Sequence, residues 1–208
     1  MSRVIGSLLF AAAVAGCKCQ APVTPVVAVT PKCVPKILVA RQGTPTLDGE
    51  LDEPVWHAAA ATEPFVHATV DRVVPHTEAR AAWDADSLYL VLYAADADLR
   101  SSDQVAVQLE GAGSIAVSPS GVVECHFGAQ ADCAAAGVVA KLDKDGDVDD
   151  DKEEDEEWAV ELSVPWKLLA PGGRPSQVPI GFSRLETLNK ELLKEVWTRG
   201  CGEIRVEP

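Results

Sequence analysis

Positive charge, aromatic rings and methionine are all scarce in this chain of 208 residues. Lys and Arg number 18 against 32 Asp and Glu, for a formal net charge of −14. No basic face is available to neutralise phosphates, which argues against nucleic acid as a partner. There is no CxxC or HxH spacing, and His57, His67, His76 and His126 are scattered, so a structural zinc site is not expected. A GxSxG elbow is absent, "SPSG" at Ser118 to Gly121 is better read as a turn, and none of the acids stands in a recognisable glycosidase motif. Catalysis is therefore not expected. The N-terminal apolar run, Val4 to Gly16, is too short to cross a ~30 Å hydrocarbon core at ~1.5 Å per residue, and no stop-transfer charge cluster follows it.

What that run does offer is an export signal: Arg3, then "VIGSLLFAAAVAG", then a cysteine. Its end, "VAGC" (Val14 to Cys17), resembles the lipobox of bacterial lipoproteins, in which the cysteine is diacylated and becomes the mature N-terminus. The resemblance implies a lipid anchor on Cys17, a signal peptide over residues 1–17 and a protein of the bacterial cell envelope, periplasmic or surface-exposed. Lys18 to Lys36, "KCQAPVTPVVAVTPKCVPK", is proline-rich without a polar/apolar period and reads as a tether reaching on the order of 50 Å. Export permits disulfides. Cys125 and Cys133 enclose a hairpin-sized loop and are expected to pair, while Cys33 with Cys201 would tie the domain's ends and leave Cys19 spare.

From residue 37 to 208 the apolar period is mostly two, and ten short segments read as strands between Gly, Pro, Asp and Ser punctuation. They predict an all-β fold, an antiparallel β-sandwich with one or two short helices. One helix is expected in "EPVWHAAAA". A second is ambiguous in "NKELLKEVW", where Leu188, Leu192 and Val196 recur at helical spacing. "TLDGELDEPVW" (Thr46 to Trp56) then reads as scaffold: Leu47 closing a first strand, Asp48 and Gly49 turning, Asp52 capping the helix, Trp56 packing inward.

Six motifs in order, "TPTLDGELDEPVW", "AAWDADSLYLVLYAAD", "SDQVAVQLE", "WAVELSVPWKLL", "IGFSRLE" and "VWTRGCGEIRV", resemble the family 9 carbohydrate-binding modules across residues 37–208. The resemblance implies a β-sandwich without catalysis, structural calcium in some members, and sugar chain ends held between two tryptophans. Trp197 corresponds to one of them, with Asp103 and Arg184 as its expected polar helpers. The second tryptophan falls near Ser101 or Ser102, the family's glutamate at Ala106 and its asparagine at Ser183. Related sandwiches bind haem through a methionine, but here the only methionine is Met1, which leaves with the signal.

Asp143 to Glu157 holds eleven acids and two lysines. Asp143, Asp145, Asp147 and Asp149 alternate around Gly146 and are candidate calcium ligands, although an EF-hand register would put Lys141 and Lys152 at its first and last positions. A solvated acidic insertion between two strands is the other reading. Trp56, Trp83 and Trp158 are expected in the core, Trp166 at a sheet edge, and Trp197 either exposed or packed. No cofactor is required. The expected function is carbohydrate binding at a membrane surface; the alternative is a structural or protein-interaction module.

Overall fold

The computed structural model describes residues 33–129, 132–152, 154–188 and 190–207. The signal segment, Cys17, Cys19 and most of the tether lie outside them. Period-two alternation produces two sheets. The first runs in the order β7 (Val123–His126), β6 (Gly113–Val117), β5 (Gln104–Leu109), β10 (Gln177–Leu188), β12 (Gly202–Val206) and β1 (Lys36–Gln42). The long β10 gives its first half to β12 and its second half to β11 (Glu191–Val196), which pairs in turn with the two-residue β2 (Val66–His67). The second sheet is β1, β3 (Thr77–Trp83), β4 (Ser87–Ala95), β9 (Glu157–Pro165) and β8 (Val139–Asp145).

β1 belongs to both sheets, with Lys36 to Ala40 pairing β12 and Arg41 and Gln42 pairing β3. Both pairings are parallel, so the expected antiparallel sandwich is a mixed one. Between the sheets lies one apolar cluster fed by alternate residues: Val105, Val107 and Leu109 of β5, Ile180 and Phe182 of β10, Leu90 and Leu92 of β4, Val160 and Leu162 of β9. Each such side chain taken out of water contributes about 1.5–3 kcal/mol.

Four expectations about elements are corrected. "NKELLKEVW" forms β11: β10 offers an unpaired half-edge beside it, and hydrogen bonding to that edge outweighs the helical spacing of its leucines. Helix α1 (Pro54–Ala58) is capped by Glu53, with no side-chain hydrogen bond, and Asp52 stays outside. Two further single turns occur, α2 (Cys133–Ala136), capped by the Asp132 side chain, and α3 (Trp166–Leu169). The first strand ends at Gln42, before Leu47. Both expected disulfides are present, Cys33–Cys201 and Cys125–Cys133. Cys33 is thus tied to the domain and Lys36 opens β1, so the folded part takes in residues assigned to the tether.

Candidate binding faces

The three residues expected to hold sugar are all inside the molecule. Inward positions of β11 alternate through Leu193 and Glu195 and carry on to Trp197, which is 2% exposed and packs on Phe182 at 5.7 Å between ring centroids. Gly202 lies against its indole so closely that any Cβ would collide with the ring. In this conformation no sugar can stack on Trp197.

Arg184 is fully buried as well. Its Nη1 donates to the Ala95 carbonyl at 2.8 Å and to Thr77 Oγ1 at 3.1 Å, while Nη2 lies 2.9 Å from Asp96 and 3.3 Å from Glu186. Thr77 donates in turn to Glu195 at 2.9 Å. Asp103 accepts from the Thr187 amide at 2.7 Å and the Arg100 amide at 3.0 Å, and burial pushes its carboxyl up. Arg184, Thr77, Glu186 and Glu195 face one another inside the fold, with Arg184 Nε and one oxygen each of Glu186 and Glu195 buried without a hydrogen-bond partner among the described residues. Burial, more than the opposing Arg184 charge, also holds Glu186 high, at about 8, and its hydrogen bond with Glu195 adds to the rise.

The calcium candidates do not converge either. Asp143 and Asp145 project from the exposed face of β8, opposite Ala159 and Glu157. Asp147 is almost wholly solvent-exposed. Asp149 adopts φ 61 and accepts from the Ser101 amide at 3.1 Å. Among the described residues no group of three or more His, Cys, Asp and Glu side chains can hold a metal ion. Asp155 organises the loop instead: its carboxylate accepts from the amides of Leu99 at 2.7 Å and Asp147 at 2.9 Å.

A second carboxylate with such a role is Glu161, buried on the outer side of the second sheet. It accepts from Trp56 Nε1 at 2.7 Å and from the amides of Gly49 at 2.8 Å and Asp48 at 3.0 Å. Burial raises its carboxyl, and those three donors oppose the rise. The Thr46 to Trp56 segment is therefore scaffold, pinned over β4 and β9 by one glutamate. Parity along "WAVELSV" could have shown this, because Glu161 shares the face of Ala159 and Ser163 and opposes that of Trp158, Val160 and Leu162.

Two of the positions that the family resemblance marks for sugar contact, Ala106 and Ser183, do come together. Register places Glu124, Ala116, Ala106, Ser183 and Val196 in one row across the outer face of the first sheet. Beside this row a groove of about 170 Å³ is lined by Ser101, Gln104, Ser118, Ser120 and Glu124. Its polar groups suit hydroxyls, and no aromatic ring flanks them.

No protein-family model matches the chain. A comparison with curated proteins finds no match. Solved structures are similar in fold. A family 9 carbohydrate-binding module from Caldicellulosiruptor kristjanssonii in complex with cellotriose has a TM-score of 0.57 at 16% identity, over 83% of this chain and 94% of that one. A structure of a family 9 module from the same organism with glucose has a TM-score of 0.56 at 14% identity, over 83% and 96%. Agreement over most of this chain and nearly the whole of both modules shows a β-sandwich fold like that of the family 9 carbohydrate-binding modules.

Proposed function

We propose that the chain is a non-catalytic carbohydrate-binding protein of the bacterial cell envelope, anchored through a lipid on Cys17 and held off the membrane by the proline-rich segment that follows. One observation carries the reading. The fold is similar to that of modules solved with cellotriose and glucose, and the positions that the sequence resemblance matches to the family's sugar contacts, Ala106 and Ser183, are cross-strand neighbours on an open face near a polar groove.

Small side chains in that row leave room for a pyranose ring, while Gln104, Ser118 and Glu124 supply donors and acceptors for hydroxyl groups. Without a stacking ring the affinity is limited to a few hydrogen bonds, and a Kd of ~0.1–1 mM or weaker is expected. Titration of the full-length chain with cello-oligosaccharides, read by amide shifts, tests this. Shifts at Gln104, Ser118 and Glu124 that Glu124→Ala removes support the site, and an array of glycans that leaves those amides unmoved overturns it.

The missing ring favours a second reading, a structural or protein-interaction module that has lost its sugar site. It gains ground if the array is silent and crosslinking in the envelope joins this face to another protein. Acylation is tested separately: a clickable fatty acid should label the wild type, and equal labelling of Cys17→Ser removes the lipid anchor from the account.

A further inference from the structure

A larger depression lies on the other sheet, away from that groove. Cross-strand register on the outer side of β3, β4, β9 and β8 sets Glu78, Tyr93, Ala159 and Asp143 in one row. The adjacent row, containing Val91 and Glu161, lies under the Thr46 to Trp56 segment, whose indole packs on Val91 and bonds Glu161. Beyond the edge of that roof the methyl group of Ala159 makes a low floor between the Tyr93 ring and the Asp143 carboxylate. The resulting cavity has a volume of about 620 Å³. That falls within the range of small-ligand sites, ~300–1,000 Å³.

Its chemistry is one-sided. Glu50, Glu78, Asp143 and Glu157 line it together with one guanidinium, that of Arg80, and the imidazoles of His57 and His76. Arg80 is already committed: Nε and Nη2 donate to Glu78 at 3.0 and 2.8 Å, and Nη1 to the Trp56 carbonyl at 2.8 Å. His76 lies 3.1 Å from the other Glu78 oxygen. The Tyr93 hydroxyl donates to Glu157, and its ring faces His76 at a 56° tilt. Glu50 and Asp143, by contrast, have no side-chain partner among the described residues. Gly49 brings these two acids to the same rim. At φ 109 it packs directly on the Leu142 and Asp143 backbone, where a Cβ would clash.

We propose that this depression is a second ligand site, which takes a saccharide unit bearing a free, protonated amino group. The ammonium sits between Glu50 and Asp143, the apolar C–H face of the ring lies on Tyr93, and hydroxyls donate to Glu78 and Glu157. Stacking of a cation-bearing ring on a phenol and pairing with unpartnered carboxylates act together. N-acetylation removes the charge, and an anionic sugar meets four like charges.

The test is a titration of the full-length chain with a β-1,4-linked glucosamine trimer, its N-acetylated form, cellotriose and spermidine, read by amide shifts at low salt. The amine trimer is expected to move Gly49, Glu50, Asp143 and Ala159, and to bind about tenfold tighter than the two uncharged trimers. Ala159→Leu, which fills the floor, should abolish those shifts. Glu50→Gln with Asp143→Asn, at exposed positions that carry no packing, should weaken binding about fivefold or more. Glu124→Ala, on the opposite sheet, should leave it unchanged, which separates this site from the groove proposed above. Equal binding of the three trimers, spermidine binding as tightly as the amine trimer, shifts confined to β5–β7, no shifts at all, or indifference to Ala159→Leu each overturn the assignment.

Discussion

At the scale of single residues, buried carboxylates decide what this protein can tolerate. Glu161 satisfies three donors, two of them buried, from a segment more than a hundred residues away. Glu161→Ala leaves an indole N–H and two amides without their acceptor, and a loss of about 3–5 kcal/mol is expected in urea unfolding. A loss below ~1 kcal/mol would show that water replaces the carboxylate. Glu186 sets a pH dependence. Its carboxyl ordinarily titrates near 4.5 and is held at about 8 in the folded chain. Between those values the folded state keeps a proton that the unfolded state has released, so stability falls as pH rises from about 4.5 to about 8 and levels off above. Thermal melts across that window should slope downward in the wild type and more weakly in Glu186→Gln. Parallel slopes would place the proton elsewhere in the Arg184, Asp96 and Glu195 cluster.

Elements show where local preference yields to pairing. "ELLKEV" has helical spacing, yet β10 extends six residues beside it and captures it as β11. The turn between them sets Lys190 at φ 68, in the left-handed region that L-residues enter at a cost of ~1–2 kcal/mol. Lys190→Gly removes that cost and adds ~0.5–1 kcal/mol of chain entropy to be lost, so a small gain, on the order of 0.5 kcal/mol, is expected from denaturant midpoints. A clear loss would mean that the lysine side chain itself contributes. At the far edge of the same sheet, Cys125 of β7 is bridged to Cys133 at the start of α2. A loop of that length constrains the unfolded chain by about 2–3 kcal/mol in the entropy model. Cys125→Ser with Cys133→Ser should lower stability by that order, while free thiols at both positions in exported protein would contradict the bridge.

Across the whole molecule, β1 holds the two sheets together, pairing one with its first five residues and the other with its last two. Cys33–Cys201 fastens the start of that strand beside the chain's last strand, closing a loop of 168 residues in sequence separation. The entropy model assigns such a closure about 5 kcal/mol, near its upper limit. Cys33→Ser with Cys201→Ser should therefore lower the melting temperature more than Cys125→Ser with Cys133→Ser does. The reverse order would indicate that β1 stays paired in the unfolded ensemble. Two open faces remain, one over the small residues Ala116, Ala106 and Ser183 of the first sheet and one over Ala159, between Tyr93 and Asp143, of the second.

Alternation of apolar and polar residues suffices to mark most strands and the sandwich, because a strand that buries one face must repeat every two positions, and the short span from Cys125 to Cys133 brings that pair within reach; the Cys33–Cys201 tie, the parallel pairings of β1 and the strand state of "NKELLKEVW" were decided by the tertiary fold. The scaffold role of "TLDGELDEPVW" was legible for the same reason: glycine, proline and a tryptophan at those offsets make a turn, a helix start and a buried anchor. Alternation also states which face Trp197, Arg184 and Asp103 share with their neighbours, but not which face meets water. That was decided in three dimensions, where β11 folds back on β10 and Gly202 closes over the indole. The acidic run was equally open in one dimension; only the pairing of β8 with β9 sends Asp143 and Asp145 outward and leaves Asp149 to cap the backbone at Ser101. The depression over Ala159 has no trace in sequence order, because its walls come from residues near 50, 78, 93, 143 and 157. Sequence carries the period of each strand, and a site assembled across five separate segments exists only once their register is set.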